Sequence, residues 1–243
     1  AAFNIVAPTL PAAPTLTPAD GATVDNTEIQ ITFASNVAWK AAIKSIKVNG
    51  VNLDAAAFIK NDSNITLKPS ESPLLQSAGT KNIIIEAEGY AMASVSQSIG
   101  HGVAKEIVVT VQPKAPAING TVLSVQPKVK RLEQYGNDCT TDPTTEVTAQ
   151  AANGWTIGGI KKVKAINGLV TFISLTAGNT APLDDARIKF TNGTLFATSA
   201  SFAIPAPITS GNETAVITLP ADGSYVKDDI TLIKGTTGPH TAA

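Results

Sequence analysis

The stretch Glu28-Ile-Gln-Ile-Thr-Phe33 alternates polar and apolar residues along its length. Side chains on a β-strand point to opposite faces in turn, so this alternation predicts a strand with one buried face. Ser45-Ile-Lys-Val-Asn-Gly50 repeats the pattern and ends in Asn-Gly, the strongest short signal for a hairpin turn. Both stretches indicate an all-β chain.

Further strands follow from runs of β-branched residues that end at glycine, proline or other turn residues. These runs are residues 82–89, 106–111, 145–149, 169–173, 186–190 and 200–204. Strands spaced roughly 10–15 residues apart, with almost no helical periodicity, are typical of antiparallel sandwiches. One short helix is predicted from Asn36 to Ile43, with Ser35 or Asn36 as its N-cap.

Proline-alanine stretches divide the 243 residues into parts. Sandwiches cluster near ~100 residues, so the length favours two of them. The predicted fold is two tandem immunoglobulin-like antiparallel β-sandwich domains with extra terminal strands. The predicted parts are an N-terminal strand and proline-rich tether (1–14), a first sandwich (15–112), a second sandwich (113–207) and a hairpin-like tail (208–243).

A tryptophan and the strand that follows it carry a family resemblance in the first sandwich. Trp39 is followed by Ile43-Lys-Ser-Ile-Lys-Val-Asn-Gly50, and a later strand ends in Gly89-Tyr90. Over residues 36–99 the chain resembles the haemoglobin-interacting (hemoblobin) domain family of Gram-positive surface proteins. The residues themselves predict that Trp39, Ile43, Ile46 and Val48 face one core.

The second sandwich resembles the bacterial immunoglobulin-like repeats of surface-layer and adhesin proteins, over residues 113–207. This resemblance rests on the stretches Thr145-Glu-Val-Thr-Ala149, Ala165-Ile-Asn-Gly-Leu-Val-Thr-Phe172 and Ala197-Thr-Ser-Ala-Ser-Phe202. Both resemblances imply an extracellular β module, and neither implies a particular ligand.

Composition and charge exclude several classes of protein. The 43% hydrophobic and 15% charged residues can build cores, which argues against disorder. A net charge of −1 offers no electrostatic footprint for nucleic acid, and the short basic cluster at 128–131 is interpreted as a solvated strand face. No apolar run approaches the ~20 residues of a membrane-spanning helix.

The first residues and the sulfur content indicate export. Ala1-Ala2-Phe3 is what remains after a signal peptidase cuts behind a small residue, although a trimmed chain would look the same. We therefore expect an extracellular or cell-surface protein with a cleaved signal peptide. Cys139 is the lone cysteine, and the sequence leaves open whether it is buried or crosslinks subunits.

Motifs for catalysis are missing from the sequence, so no enzyme activity is predicted. Glu86 and Glu88 lie two apart on one strand, where a solvated outer face is the favoured interpretation. Asp184-Asp185 and Asp228-Asp229 lack the spaced ladder of a calcium loop, so solvated turns are favoured and no metal site is predicted.

Four residues are candidates for haem capture, namely His101, His240, Met92 and Tyr90. His101 lies in Gly100-His-Gly102 and is interpreted as a solvated loop residue, so no cofactor is predicted. Trp155 follows Asn153-Gly154 and is interpreted as packed, with an exposed recognition aromatic as the alternative.

A strand-like segment remains at each end of the chain, and an isolated strand or hairpin is marginal in water. The front segment offers Phe3, Asn4, Ile5 and Val6 as donor-strand residues, with Phe3 and Ile5 on one side. The residues predicted to pair in the tail are Val216, Ile217, Leu219, Ile230 and Leu232.

These end segments predict a structural subunit of an extracellular polymer, a filament or a surface layer, that joins copies of itself by strand addition. The alternatives are a cell-surface adhesion or binding module for haem, haemoglobin or glycan, and a passive spacer. A host ligand therefore remains an alternative partner to copies of the chain itself. Binding to nucleic acid and a membrane span are not expected.

Overall fold

The computed structural model describes residues 9–141 and 145–208. Within them the apolar side chains form two separate cores, one from residues 16–99 and the other from residues 107–204. All strand ladders are antiparallel apart from an isolated parallel bridge between Thr23 and Gly100. The predicted all-β fold with two sandwiches in tandem is thereby confirmed.

The first sandwich contains eight strands and two short helices. The strands are β1 (Leu16–Thr17), β2 (Ile29–Phe33), β3 (Ile43–Val48), β4 (Val51–Asn52), β5 (Phe58–Lys60), β6 (Asn64–Leu67), β7 (Gly79–Ala87) and β8 (Ala93–Ile99). The helices are α1 (Val37–Ala42) and α2 (Pro73–Gln76), with 3-10 turns at Ala55–Ala57 and Pro69–Glu71. One sheet has the order β1-β2-β6-β5 and the other β4-β3-β7-β8.

Alternating burial explains why these stretches form half-buried strands. On β2 every second residue is buried, beginning at Ile29, and β7 repeats this alternation through Ile83 and Ile85. Each fully buried isoleucine contributes roughly 1.5–3 kcal/mol relative to exposure. Trp39 is fully buried on α1 and contacts Phe33 edge to face, with ring centroids 5.0 Å apart.

Local signals set the hairpin and the helix as the sequence predicts. Asn49 and Gly50 have φ values of 52° and 84°, and they form the tight turn between β3 and β4. The side chain of Asn36 accepts a hydrogen bond from the backbone N–H of Trp39 at 2.9 Å, which makes Asn36 the N-cap of α1.

The second sandwich contains thirteen strands in the described residues. They are β9 (Glu106–Val111), β10 (Lys114–Pro116), β11 (Leu123–Val125), β12 (Lys128–Leu132), β13 (Glu146–Ala151), β14 (Thr156–Gly158), β15 (Lys162–Lys164), β16 (Leu169–Thr171), β17 (Thr176–Gly178), β18 (Leu183–Ala186), β19 (Ile188–Asn192), β20 (Leu195–Thr198) and β21 (Phe202–Ile204). The larger sheets have the orders β16-β12-β9 and β15-β13-β19-β20. The smaller ladders are β10-β11, β14-β17 and β18-β21.

Strand β9 belongs to the second core, although the predicted boundary at residue 112 assigns it to the first sandwich. Ile107 is buried among the side chains of the second core, and Val109 packs against it. The strand also pairs with β12 of the second sandwich. The connection between the two cores is therefore the short segment 100–105.

Arg131 on β12 departs from the solvated face expected for the basic cluster. Its side chain is buried, because Arg131 lies on the same face of β12 as the core residue Val129 and lines a cavity at the junction. Lys128 and Lys130 on the same strand are half-buried.

The segment before β2 runs alongside β8 in the same direction. The carbonyl of Pro11 accepts from the N–H of Ala91, just before β8, and Gly100 bonds to Ala22 just after it. Between these points Gln97, which is fully buried, donates to the carbonyl of Ala19 at 2.9 Å and accepts from its N–H at 2.8 Å. The side chain of Gln97 thus replaces a backbone pair of a β-ladder.

Candidate functional site

The junction between the sandwiches consists of the connection 100–105 and the loop 133–141 that follows β12. His101 lies in the connection, where its Nε2 accepts from the backbone N–H of Thr141 at 3.0 Å. Because Nε2 accepts, Nδ1 carries the hydrogen and donates to the carbonyl of Gly102 at 2.8 Å. The sequence predicts a solvated loop histidine, whereas both ring nitrogens are used in holding the junction.

Asp25 belongs to the first sandwich, and its carboxylate holds the 100–105 connection in place. Its carboxylate accepts from the backbone N–H of Val103 at 2.6 Å and from the side chain of Gln134 at 3.0 Å. This approach depends on Gly102, because a Cβ at that position would lie 2.1 Å from Oδ1 of Asp25. A glycine is therefore required there by close contact.

Asn137 makes a second set of contacts between the sandwiches, from the 133–141 loop of the second sandwich to the first. Its Nδ2 donates to the carbonyl of Gln76 at 2.7 Å, and its Oδ1 accepts from the N–H of Ala78 at 2.9 Å. Nδ2 also donates to Oε1 of Glu133, which accepts from the N–H groups of Tyr135 and Asn137 as well. The loop is thus shaped by one buried carboxylate before it meets the first sandwich.

A cavity of about 320 Å³ lies at the junction. Cys139 lines it with a thiol that is buried and donates weakly to the carbonyl of Gly102 at 3.7 Å. Burial raises the pKa of the Cys139 thiol above its usual value, so the thiol stays protonated near neutral pH. The open choice between a buried and a crosslinking Cys139 is resolved in favour of burial.

Metal-binding groups do not cluster in the part of the chain that the structure describes. No cluster of three histidine, cysteine, aspartate or glutamate side chains there could hold a metal ion. Asp184 and Asp185 lie on strand β18, not in the solvated turn that the sequence predicts, and Asp185 accepts from Nε of Arg187 at 2.9 Å. Asp228 and Asp229 lie outside the described residues. We conclude that the junction chemistry is suited to holding two sandwiches together.

The helix pole is the end of the first sandwich remote from the junction, formed by α1, the turns 61–63 and 88–92, and the segment 9–11. Three large apolar side chains are exposed on it, namely Leu10 (56%), Val37 (64%) and Met92 (69%). Leu10 lies beside the 88–92 turn, because Pro11 accepts from the N–H of Ala91 at 2.9 Å.

Two ion pairs lie on the helix pole, and beside them the ammonium group of Lys60 donates to the carbonyl of Ile43 at 3.3 Å. Lys40 on α1 pairs with Asp62, and the hydrogen bond from Lys40 holds the pKa of the Asp62 carboxyl below its usual value. Lys44 pairs with Glu88 at 3.0 Å. The pole therefore carries apolar side chains beside two ion pairs.

The tail pole is the end of the second sandwich remote from the junction, formed by the β10–β11 turn and residues 205–208. Asn119 organises it, because its Nδ2 donates to the carbonyls of Asn179 at 3.0 Å and Pro205 at 2.6 Å. Its Oδ1 accepts from the N–H of Asn179 at 3.1 Å, so this amide is satisfied internally. Exposed apolar side chains also lie here: Ile118 (47%), Val122 (54%) and Ile208 (74%).

The two carboxylates on β7 and just beyond it do not face a cleft. Glu86 accepts from Lys47 at 2.6 Å and from Ser45 at 2.5 Å on the outer face of the sheet. The hydrogen bonds from Lys47 and then Ser45 lower the pKa of the Glu86 carboxyl. The predicted position of Glu86 on an outer sheet face is confirmed, and the structure adds its ion pair with Lys47.

The residues weighed for haem do not converge. Tyr90 and Met92 belong to the helix pole, whereas His101 lies at the junction, beyond the other end of β8. His240 lies outside the described residues. Trp155 is buried and donates from Nε1 to the carbonyl of Arg187 at 3.2 Å, which confirms the packed interpretation.

The predicted pairing residues at both ends lie outside the described residues. These are the donor-strand residues Phe3, Asn4, Ile5 and Val6 and the tail residues Val216, Ile217, Leu219, Ile230 and Leu232. The junction residues, by contrast, were missed by sequence reasoning. The glycines that flank His101 were the available signal, since glycine between two apolar segments also marks a close approach of backbone to side chain.

The family comparison concerns the first sandwich. Residues 16–100 match the family model of the Heme-binding protein Shr-like, Hb-interacting domain. This confirms the family resemblance expected over residues 36–99. The matched segment coincides with the residues that form the first core, so the family model and the folded unit have the same bounds. A comparison with curated proteins finds no match.

Comparison with solved structures finds weak matches, among them domains of intimin and of a surface layer protein. The D00–D0 domain of intimin has 9% sequence identity over 78% of this chain and 99% of its own, with a TM-score of 0.40. Domains 4–9 of the surface layer protein SbsC have 12% identity over 82% of this chain and 31% of their own, with a TM-score of 0.36.

A β-glycosidase from Bacteroides vulgatus has 11% identity over 79% of this chain, with a TM-score of 0.35. The chain spans about a quarter (25%) of the length of that enzyme. At these TM-scores and identities the likeness carries no conclusion about this chain. In the described residues no helix is long and apolar enough to cross a membrane.

Proposed function

We propose that this protein is a structural subunit of an extracellular polymer, a filament or surface layer, whose copies join head to tail by strand addition. The observation that carries the proposal is the position of the two segments that lead into the chain ends. Pro11 lies at the helix pole, and Pro205 lies at the tail pole. Each terminal segment therefore starts at an end of the tandem remote from the junction.

The first sandwich separates its pole from the junction by the length of β8. Seven strand residues span about 20 Å at roughly 3.3 Å per residue. In the second sandwich the chain runs away from the junction through β9 and β10 before it reaches Asn119. Residues 1–8 extend at most about 28 Å, enough to reach a neighbouring copy but not to pass along both sandwiches.

Strand addition suits the composition of the front segment. Phe3 and Ile5 fall on one side of an extended strand, so they would fill adjacent pockets of a neighbour's sheet while the backbone supplies ladder hydrogen bonds. An acceptor edge at the tail pole would make the contact heterologous, so that it propagates without closing.

The test is electron microscopy and sedimentation of the full chain and of a variant that lacks residues 1–7. The full chain is expected to form polymers, and the variant to remain a folded monomer. Phe3→Asp with Ile5→Asp should act like the deletion, whereas Asn4→Asp on the other side of the strand should assemble. Normal assembly of the deletion variant would overturn strand donation by this segment.

A second candidate function, carried by the family match of residues 16–100, is a cell-surface module that binds host haemoglobin. Immobilised haemoglobin should then retain the full chain at micromolar concentration, while a haemin titration should leave the Soret band unchanged, because the haem candidates do not converge. Absence of retention would reject this candidate without affecting the polymer proposal.

A further inference from the structure

The two poles have the same chemical character although they belong to different sandwiches. Each carries three exposed apolar side chains: Leu10, Val37 and Met92 on the helix pole, and Ile118, Val122 and Ile208 on the tail pole. Exposed apolar side chains at one end of a domain offer an area that a partner can cover.

Two ion pairs of the helix pole and one amide of the tail pole are satisfied within the chain. Lys40 and Lys44 on the helix pole are paired with Asp62 and Glu88. On the tail pole the amide of Asn119 makes three hydrogen bonds to its own sandwich. When either pole is buried against a partner, these groups keep their hydrogen-bond and ion-pair partners. The main cost of burying a polar surface is thereby avoided for them.

We infer that the helix pole of one copy packs directly against the tail pole of the next copy. This inference rests on the proposed polymer and adds a second contact to strand addition. The occupant is a second copy because the terminal segments start at these same two poles. A neighbour tethered through residues 1–8 is held within about 28 Å of the helix pole, so the two apolar ends are brought together.

The contact is heterologous, since one pole contains a helix and the other a β-turn. It therefore has a direction, and repetition produces an open chain of subunits. Strand addition fixes the order of the copies, while the pole contact limits how far one copy tilts on the next.

Charge substitutions at the poles test the contact in the full chain. Val37→Asp, Met92→Asp and Ile118→Asp each place a charge in the inferred contact, and each should raise the critical concentration for assembly roughly ten-fold or more. Matched controls are Val51→Asp on β4 and Ile166→Asp near the junction, which are 55% and 76% exposed but lie away from both poles. The controls should assemble like the unmodified chain.

The readouts are sedimentation of assembled material and electron microscopy, with thermal unfolding to verify that each variant is folded. The pole contact is overturned if the pole variants assemble normally, or if the controls are impaired as strongly. Loss of assembly on deletion of residues 1–7 together with normal pole variants would leave the polymer standing and remove the pole contact. A full chain that never assembles would reject both.

Discussion

The carboxylate of Asp25 occupies the space in which a Cβ at position 102 would lie, 2.1 Å from Oδ1. Two sandwiches that share no strand are therefore held together at a point where a side chain is missing. The same carboxylate binds the N–H of Val103 and the amide of Gln134, so it joins the first sandwich to both segments of the junction.

Gly102→Ala should destabilise the junction by about 1–2 kcal/mol, because the Asp25 carboxylate must move and its hydrogen bonds are lost. The measurement is the free energy of unfolding from chemical denaturation. Gly100→Ala is the matched control, since a Cβ there meets nothing closer than 3.5 Å and should cost little. Equal losses in both variants would contradict the role of Asp25.

Asn137→Asp should be more destabilising than Asn137→Ala. A carboxylate at position 137 would face the carbonyl of Gln76 and the carboxylate of Glu133, both of which now accept from Nδ2. Alanine loses the hydrogen bonds, at about 1–3 kcal/mol, but adds no repulsion. Thermal unfolding at neutral pH provides the comparison, and the reverse order would show that repulsion does not dominate.

The Cys139 thiol should react slowly with a maleimide or with Ellman's reagent in the folded protein, because the side chain is only 2% exposed and burial raises its pKa. The rate should rise by roughly ten-fold or more in Asn137→Ala if that variant opens the junction. A fast rate in the unmodified protein would mean that the junction is already open in solution.

Lys81 is buried, and desolvation lowers the pKa of its ammonium group. The folded state then holds this proton less tightly than the unfolded chain, so stability should rise with pH between the lowered pKa and the usual value of 10.5. Lys81→Met should lose this slope and be more stable at pH 7 by on the order of 1 kcal/mol.

The matched control for Lys81 is Lys47→Met, which removes a surface ion pair with Glu86 and should keep the slope. Unfolding free energies measured from pH 7 to 10 decide the matter. A Lys81→Met protein that retains the slope would assign it to another group.

Glu86 should titrate below the usual glutamate range when followed by carbon-detected NMR, because Lys47 and Ser45 donate to its carboxylate. The stabilisation it provides is present above the usual pKa and is lost as the pH falls through the lowered one. Lys47→Met should return the pKa of Glu86 most of the way, and Ser45→Ala less far. An unchanged pKa in both variants would contradict this assignment.

Periodicity was sufficient to predict the cores, because burial on a strand is decided by alternate positions. Ile29, Trp39 and Ile85 are buried as their patterns require. The junction could not be predicted this way, since His101 and Asn137 make contacts across long separations in sequence. Strand β9 shows the same limit: its pattern predicts a strand, but not which of two cores receives Ile107.

The parallel course of the first segment and β8 has a mechanical consequence. In a molecule pulled from both poles, the segment that includes Ala19 is drawn toward the helix pole while β8 is drawn toward the junction. The two bonds between Gln97 and Ala19 and the single bond between Gly100 and Ala22 are then strained simultaneously in shear instead of opening one after another. Tension along the tandem is thereby shared over the full length of a strand.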